Sequence, residues 1–250
     1  MDEMLFRNAG EFDFSEPPDY GRIKGIERVL DVMSDIEPHN SFITDYYKKR
    51  IHFMSLGASR LCGYSKEELS KYGQEFFKLI IPEEDLAKMR IISDVGLERF
   101  YTIPVEDRMK CSMSYDFVLQ RKDGRRVCLN RRIRPFYNTE EGKLWLSISC
   151  VNYSFNDKIG DIIFNELFRN KRYQYSFEKN QWKELPPVDL TENEKVTAIE
   201  LYRGSIDKQI ANMLYVSKDT ISYYKKQLMV KTNKPTIKGA LDYLFYNCII

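Results

Sequence analysis

The sequence predicts an α+β protein in which an antiparallel sheet encloses helices and a purely helical segment follows. Three observations carry this expectation. Paired β-rich runs recur between Ser41 and Asn152 with turn-forming residues between them, a helical stretch interrupts them after the second run, and from Leu190 onward no strand-like alternation remains until the end.

In chain order, residues 1–39 read as an N-terminal extension and an amphipathic helix. The first twenty residues are polar, with Pro17 and Pro18 in an extended lead-in; Ile23, Ile26, Val29, Leu30 and Met33 then fall at helical spacing within Arg22 to Ser34, and Pro38 is the expected stop. That helix has more apolar residues than a solvated helix needs, which predicts a homodimer. Residues 40–155 form the sheet region. Ser41 to Asp45 and Arg50 to Met54 flank a turn at Tyr46 to Lys49, and Ser59 to Ile80 gives short helical pieces. Pro82 with Glu83, Glu84 and Asp85 opens another helix, acids in its first turn. Met113 to Gln120, Arg126 to Phe136 and Leu144 to Val151 are strands, broken at Lys122-Asp123-Gly124 and at Asn138 to Gly142. An antiparallel pattern excludes a phosphoacceptor receiver domain, which needs a parallel α/β sheet.

Residues 156–189 read as a helix-hairpin connector. Ile159 to Phe168 is expected to be helical, and Tyr173 to Phe177, Lys179-Asn180 and Trp182 to form a small hairpin. Pro186-Pro187 is the strongest punctuation in the chain, and 190–250 is the last domain.

Of the 250 residues, 43% are hydrophobic and 30% charged, a balance that excludes wholesale disorder. No stretch approaches the roughly 18 apolar residues of a membrane helix, and the MDEMLF start is acidic where a signal peptide is basic. A cytoplasmic protein without membrane association is expected. The five cysteines are widely spaced with no C-x-x-C pair, and His39 and His52 are the only histidines, so neither a disulfide framework, a zinc site nor haem is expected. No ionisable cluster has catalytic spacing, and an enzyme is not expected.

The formal net charge of +2 conceals an asymmetry. Residues 190–250 carry nine basic and six acidic side chains, and Lys218 to Lys238 holds six lysines against the single acid Asp219. This is a candidate polyanion footprint. Thr191-Glu192-Asn193-Glu194 forms a capping box that opens a helix; Asp207 to Leu214 fits a second helix, Tyr215-Val216 a tight turn, and Ser217 the N-cap of a third. Two helices joined by such a turn, the second one basic, make a helix-turn-helix. Counting roughly 100° per residue from Ile221, Tyr224, Lys225 and Leu228 share its apolar face, and Ser222, Tyr223, Lys226 and Val230 lie opposite. Ser222, Tyr223 and Lys226 are therefore the candidate base-reading residues, and Lys218, Lys225, Lys231 and Lys234 the candidate phosphate contacts.

Leu190-Thr191, Glu194, Gly204, Lys208, Ile210-Ala211, Leu214, Val216-Ser217, Thr220-Ile221, Leu228, Lys231 and Ala240 together resemble, without gaps, the LuxR-type (GerE-like) helix-turn-helix of bacterial transcription regulators. The family pattern likewise implies that Ser222, Tyr223 and Lys226 face bases. Departures are Tyr224 where the family has histidine, Thr232-Asn233 for a usual Leu-Gly, and Thr197, Ala198 and Glu200 where larger aliphatics stand. Residues 40–155 resemble a PAS sensor domain through Gly63-Tyr64-Ser65, Glu67-Glu68-Leu69, Ile81 to Asp85, Arg121 to Gly124 and the closing three strands. The asparagine many members carry after the second strand is missing at Met54 to Gly57. Ser59-Arg60-Leu61-Cys62 lacks the asparagine-cysteine-arginine motif of photoreactive flavin domains, Cys62 reads as a buried small residue, and His52 stands in a strand rather than a helical lid. No cofactor is expected. The two resemblances imply a transcription regulator that binds duplex DNA and senses a small-molecule ligand or partner protein at the PAS-like domain, with the ligand-binding residues unassigned. An interaction adaptor whose helical tail no longer reads DNA is the alternative.

Overall fold

Residues 19–23, 25–36, 40–154, 156–246 and 249–250 are described by the computed structural model. Pro17, Pro18, Pro38 and His39 lie outside them. Two units meet at Leu185/Pro186.

The described part of the first unit opens with a 3-10 turn at Tyr20–Ile23 and α1 (Ile26–Ile36). The hairpin β1 (Asn40–Asp45) and β2 (Arg50–Met54) follows, then α2 (Leu56–Cys62), α3 (Lys66–Tyr72), α4 (Phe76–Ile80) and α5 (Leu86–Tyr101). Short polar residues set the breaks. Ser55 accepts the Ala58 amide at the start of α2, Gly63 ends it with φ 80°, and Ser65 and Glu68 cap α3 reciprocally. The chain then makes β3 (Cys111–Gln120), β4 (Arg126–Asn138), β5 (Leu144–Tyr153), β6 (Gly160–Glu166), β7 (Lys171–Ser176) and β8 (Gln181–Leu185). All pair antiparallel in one sheet of order β2-β1-β5-β4-β3-β6-β7-β8.

Here one expectation is corrected. The segment Ile159 to Phe168 is not a helix; most of it is β6, hydrogen-bonded to β3 on one side and β7 on the other. Its isoleucines fit a helical period, but Ile162 to Glu166 are all buried, and only an element covered on both faces buries five residues in succession. As a strand it also pairs backbone groups of β3 that would otherwise form an open sheet edge. The expected connector thus contributes three strands to the sheet.

Alternation in β1 sorts side chains between two cores. Phe42 packs against the large core that includes Phe76, Phe77, Ile92 and Leu129, whereas the adjacent Ile43 joins Ile23, Leu30, Phe53, Trp145 and Leu146. Leu30 and Ser34 of α1 are buried, while Val29, Val32, Met33 and Ile36 remain exposed by 44–77%. At Gly96 of α5 the helix closes on the sheet; a Cβ there would lie 2.6 Å from the Met113 sulfur.

The second unit is all-α: α6 (Glu192–Tyr202), α7 (Asp207–Leu214), α8 (Lys218–Thr232) and α9 (Ile237–Tyr246). Leu190, Ala198, Leu228, Ala240 and Leu244 form one cluster and Ile210, Ala211 and Ile221 another. Thr197 and Ala198 are fully buried, so small residues stand at core positions of α6. Asn233 takes φ 58° and ends α8 as a glycine would, because asparagine tolerates the left-handed region. Among the described residues, no helix is long and apolar enough to cross a membrane.

Candidate functional site

Helix α8 follows a tight turn in which Tyr215 is left-handed, with φ 54°, and 96% exposed. Ser217 caps the helix by accepting the Thr220 amide at 3.1 Å, leaving the first turn's positive end open to solvent. Ile221 and Leu228 are fully buried, which fixes the helix's rotation. Ser222, Tyr223, Lys226 and Val230 consequently face outward, and all four are exposed. The predicted base-reading residues are therefore brought together on one solvent face.

The predicted phosphate contacts divide. Lys218 is exposed and makes no ion pair among the described residues. Lys225 instead donates to both carboxylate oxygens of Asp207 in α7 at 3.1 Å, and Lys231 reaches the Glu194 carboxylate at 2.6 Å. Glu194 is only 4% exposed. Burial alone would raise its carboxyl, but the Lys231 ammonium and the Thr191 amide outweigh this and hold it below the ordinary range. Lys225 and Lys231 thus tie helices of this unit together, which spacing on a single helix cannot reveal. Lys234 lies over the Tyr243 ring. Exposed Lys208, in α7, was not singled out as a contact from the sequence, although its place in the first helix of the motif could have marked it.

The sheet unit contains a cavity of about 80 Å3 between α5 and the sheet, adjoined by a second of about 40 Å3. Phe77, Met89, Tyr115 and Arg131 line both. The walls are mainly apolar, with Ile92, Leu97, Phe100, Ile133 and Leu144 in the larger space and Thr44, Tyr46 and Ser147 supplying hydroxyls. Arg131, 7% exposed, is set in β4 between Leu129 and Ile133, all three pointing to this side. Its Nε donates to Ser149 Oγ (3.1 Å), Nη1 to the Tyr115 hydroxyl (2.8 Å) and Nη2 to Thr44 Oγ1 (3.2 Å). The Phe42 ring lies 4.5 Å from the guanidinium carbon. Burial pushes the Tyr115 phenol up despite the neighbouring guanidinium, so it stays a neutral hydroxyl. Sequence reasoning missed Arg131; the available signal was an arginine in phase with the inward apolar residues of a strand. Cys62, as expected, is buried, and burial raises its thiol.

No protein-family model matches the chain, and no curated protein sequence matches it. Among solved structures, the chain is similar to the Vibrio cholerae VqmA dimer in the absence of target DNA, a LuxR-type receptor: 12% identity over 92% of this chain and 88% of that one, with a TM-score of 0.32. It is also similar to VqmA bound to DPO (13% identity, 88% and 86% covered, TM-score 0.34). A PAS domain from a two-component sensor histidine kinase shows 13% identity over 53% of this chain and 96% of that domain, with a TM-score of 0.34.

Proposed function

We propose that the chain is a cytoplasmic DNA-binding transcription regulator that acts by binding rather than catalysis. The sheet unit serves as a PAS-like sensor of a small ligand or partner, and the helical unit as a LuxR-type helix-turn-helix. The observation that carries this reading is the face of α8, where Ser222, Tyr223 and Lys226 are exposed together while Ile221 and Leu228 anchor the opposite side. Serine and lysine suit base-edge acceptors, and tyrosine a thymine methyl or sugar. Lys218 serves phosphate affinity. A homodimer is supported by the exposed stripe Val29, Val32, Met33 and Ile36 on α1, spaced as one helical face. A solution mass near that of one chain would count against it.

Binding to genomic fragments tests the DNA reading. Lys226→Ala should weaken the preferred site by about 1–3 kcal/mol and random duplex much less; Lys218→Ala should weaken all duplexes alike and lower the salt slope by about one. Equal effects of the two variants on preferred and random DNA would show that the assigned face is wrong. The adaptor alternative is favoured by the exposed apolar Tyr215, Tyr223 and Val230 on the helical unit, at 96%, 56% and 69%. It becomes the better reading if the wild type shows no salt-dependent DNA affinity.

A further inference from the structure

Arg131 is a permanent charge placed where water is scarce. A guanidinium has five N–H donors and no accessible neutral form. Three of its donors meet Ser149, Tyr115 and Thr44, all neutral hydroxyls, and no carboxylate of the described residues joins them. Elsewhere in the same sheet, the buried Glu166 carboxylate receives Arg99 at 2.7 Å, and the buried Asp116 carboxyl, which meets the neutral amides of Asn130 and Asn156, is pushed up by burial and can shed its charge by taking up a proton, as a guanidinium cannot. An unpaired buried cation is unfavourable and adds nothing to packing that a methionine would not. Here it borders both adjoining spaces, whose other walls are chiefly apolar.

We infer that this cavity binds a small apolar monocarboxylate, with Arg131 as its counter-ion. This deepens the sensor reading above and rests on it. One guanidinium balances one negative charge, so a monoanion fits and a phosphate or sulfate dianion would leave charge uncompensated among apolar walls. The planar fork of Arg131 suits a carboxylate. Ile92, Leu97 and Phe100 would cover a hydrocarbon body. About 80 Å3 admits on the order of five to eight water-sized groups. The ligand is therefore a compact branched or ring acid rather than a long-chain one.

Calorimetry and thermal shift on the full chain with isobutyrate, isovalerate and benzoate, each beside its uncharged amide, test the inference. At least one acid should bind, and about ten- to a hundredfold more tightly than its amide. Arg131→Gln should bring that ratio close to one. Arg131→Lys, which keeps the charge but not the fork, should retain part of it and guards against a folding defect in the first variant. No binding by any of the acids, equal binding of acid and amide, or an acid preference that survives Arg131→Gln would each overturn the inference. DNA affinity measured with and without each probe separates the two layers. An acid that binds through Arg131 without altering DNA affinity leaves the anion site standing and removes the sensor reading, whereas an amide that binds as well and alters DNA affinity does the reverse.

Discussion

Glu194 of the helical unit and Arg131 of the sheet unit are buried to a similar degree and differ in what meets their charge. In the helical unit, Glu194 is almost fully enclosed, yet it receives Lys231 at 2.6 Å and the Thr191 amide at 2.7 Å, and Glu200 receives Arg203 and Ser205, each at 2.8 Å. These charges hold helices and turns together. In the sheet unit, Arg131 is as enclosed as these acids and its partners are all neutral. Pairing offsets the cost of burying a charge; a buried carboxyl without a cation can discharge by taking up a proton, whereas a buried guanidinium without a carboxylate keeps its charge.

The largest effect is expected where a buried pair is cut inside the sheet unit. Glu166→Ala leaves Arg99 beside Phe164 and Tyr173 without its carboxylate and should lower stability by about 3 kcal/mol in denaturant titrations. A loss under 1 kcal/mol would break the contrast, since Glu166 would then be no more anchored than Arg131. Glu194→Ala removes both a cap and the Lys231 partner. Because the Lys231 side chain is 27% exposed and water can take over its solvation, the expected loss is smaller, about 2 kcal/mol. The Glu194 carboxyl is held below its unfolded value, so its stabilising share is fully present above the unfolded carboxylate range and fades as pH falls through the lower folded one. The wild-type advantage over Glu194→Ala should accordingly shrink in acid, which unfolding curves at pH 7 and pH 3 would reveal.

Much of this architecture is legible in the sequence because local chemistry decides it. Thr191 with Glu194 and Ser217 mark helix starts that the structure reproduces, and the five strands from Asn40 to Tyr153 match the β-rich runs set between turn residues. The outward face of α8 was readable for the same reason, since Ile221 and Leu228 fix its rotation. What the sequence hides depends on neighbours distant along the chain. The 160–166 segment has an apolar pattern that suits a helix or a doubly covered strand, and only the open edge of β3 decides between them. Lys225 and Lys231 read as free cations until Asp207 and Glu194 are placed beside them. Arg131 stands in phase with Leu129 and Ile133, which marks its face, but the absence of a counter-ion among the described residues is not a property of its neighbours along the chain.

Asp242 in α9 sharpens the comparison from the helical side. Its Oδ2 is buried without a hydrogen-bond partner, and burial pushes its carboxyl up to about 6 against the opposing Lys238 ammonium. The folded value thus lies above the unfolded one near 3.9. The contribution of Asp242 to stability is greatest below about pH 4 and declines as pH rises through 6, where the carboxylate ionises in a site that disfavours charge. Asp242→Asn should gain on the order of 1 kcal/mol at pH 7.5 and nothing at pH 4, after allowance for partial solvent screening. A gain that is the same at both pH values would assign the effect to packing instead.

The smallest stability effect is expected at Arg131, and its smallness is the informative part. Asp242 can escape an unfavourable site by taking up a proton, but a guanidinium has no such route at any pH the fold survives. Arg131→Met removes a buried charge, which stabilises, and strips Ser149, Thr44 and Tyr115 of a donor, which destabilises by a comparable amount. The two should nearly cancel, leaving the ligand-free variant within about 1 kcal/mol of the wild type across the pH range in which Asp242→Asn changes sharply. A loss as large as that of Glu166→Ala would mean that Arg131 is a structural member of the hydroxyl network, and the distinction between paired and unpaired buried charge would lose its functional meaning. Near-neutral stability combined with lost carboxylate binding is the outcome that a residue kept for an incoming anion should produce.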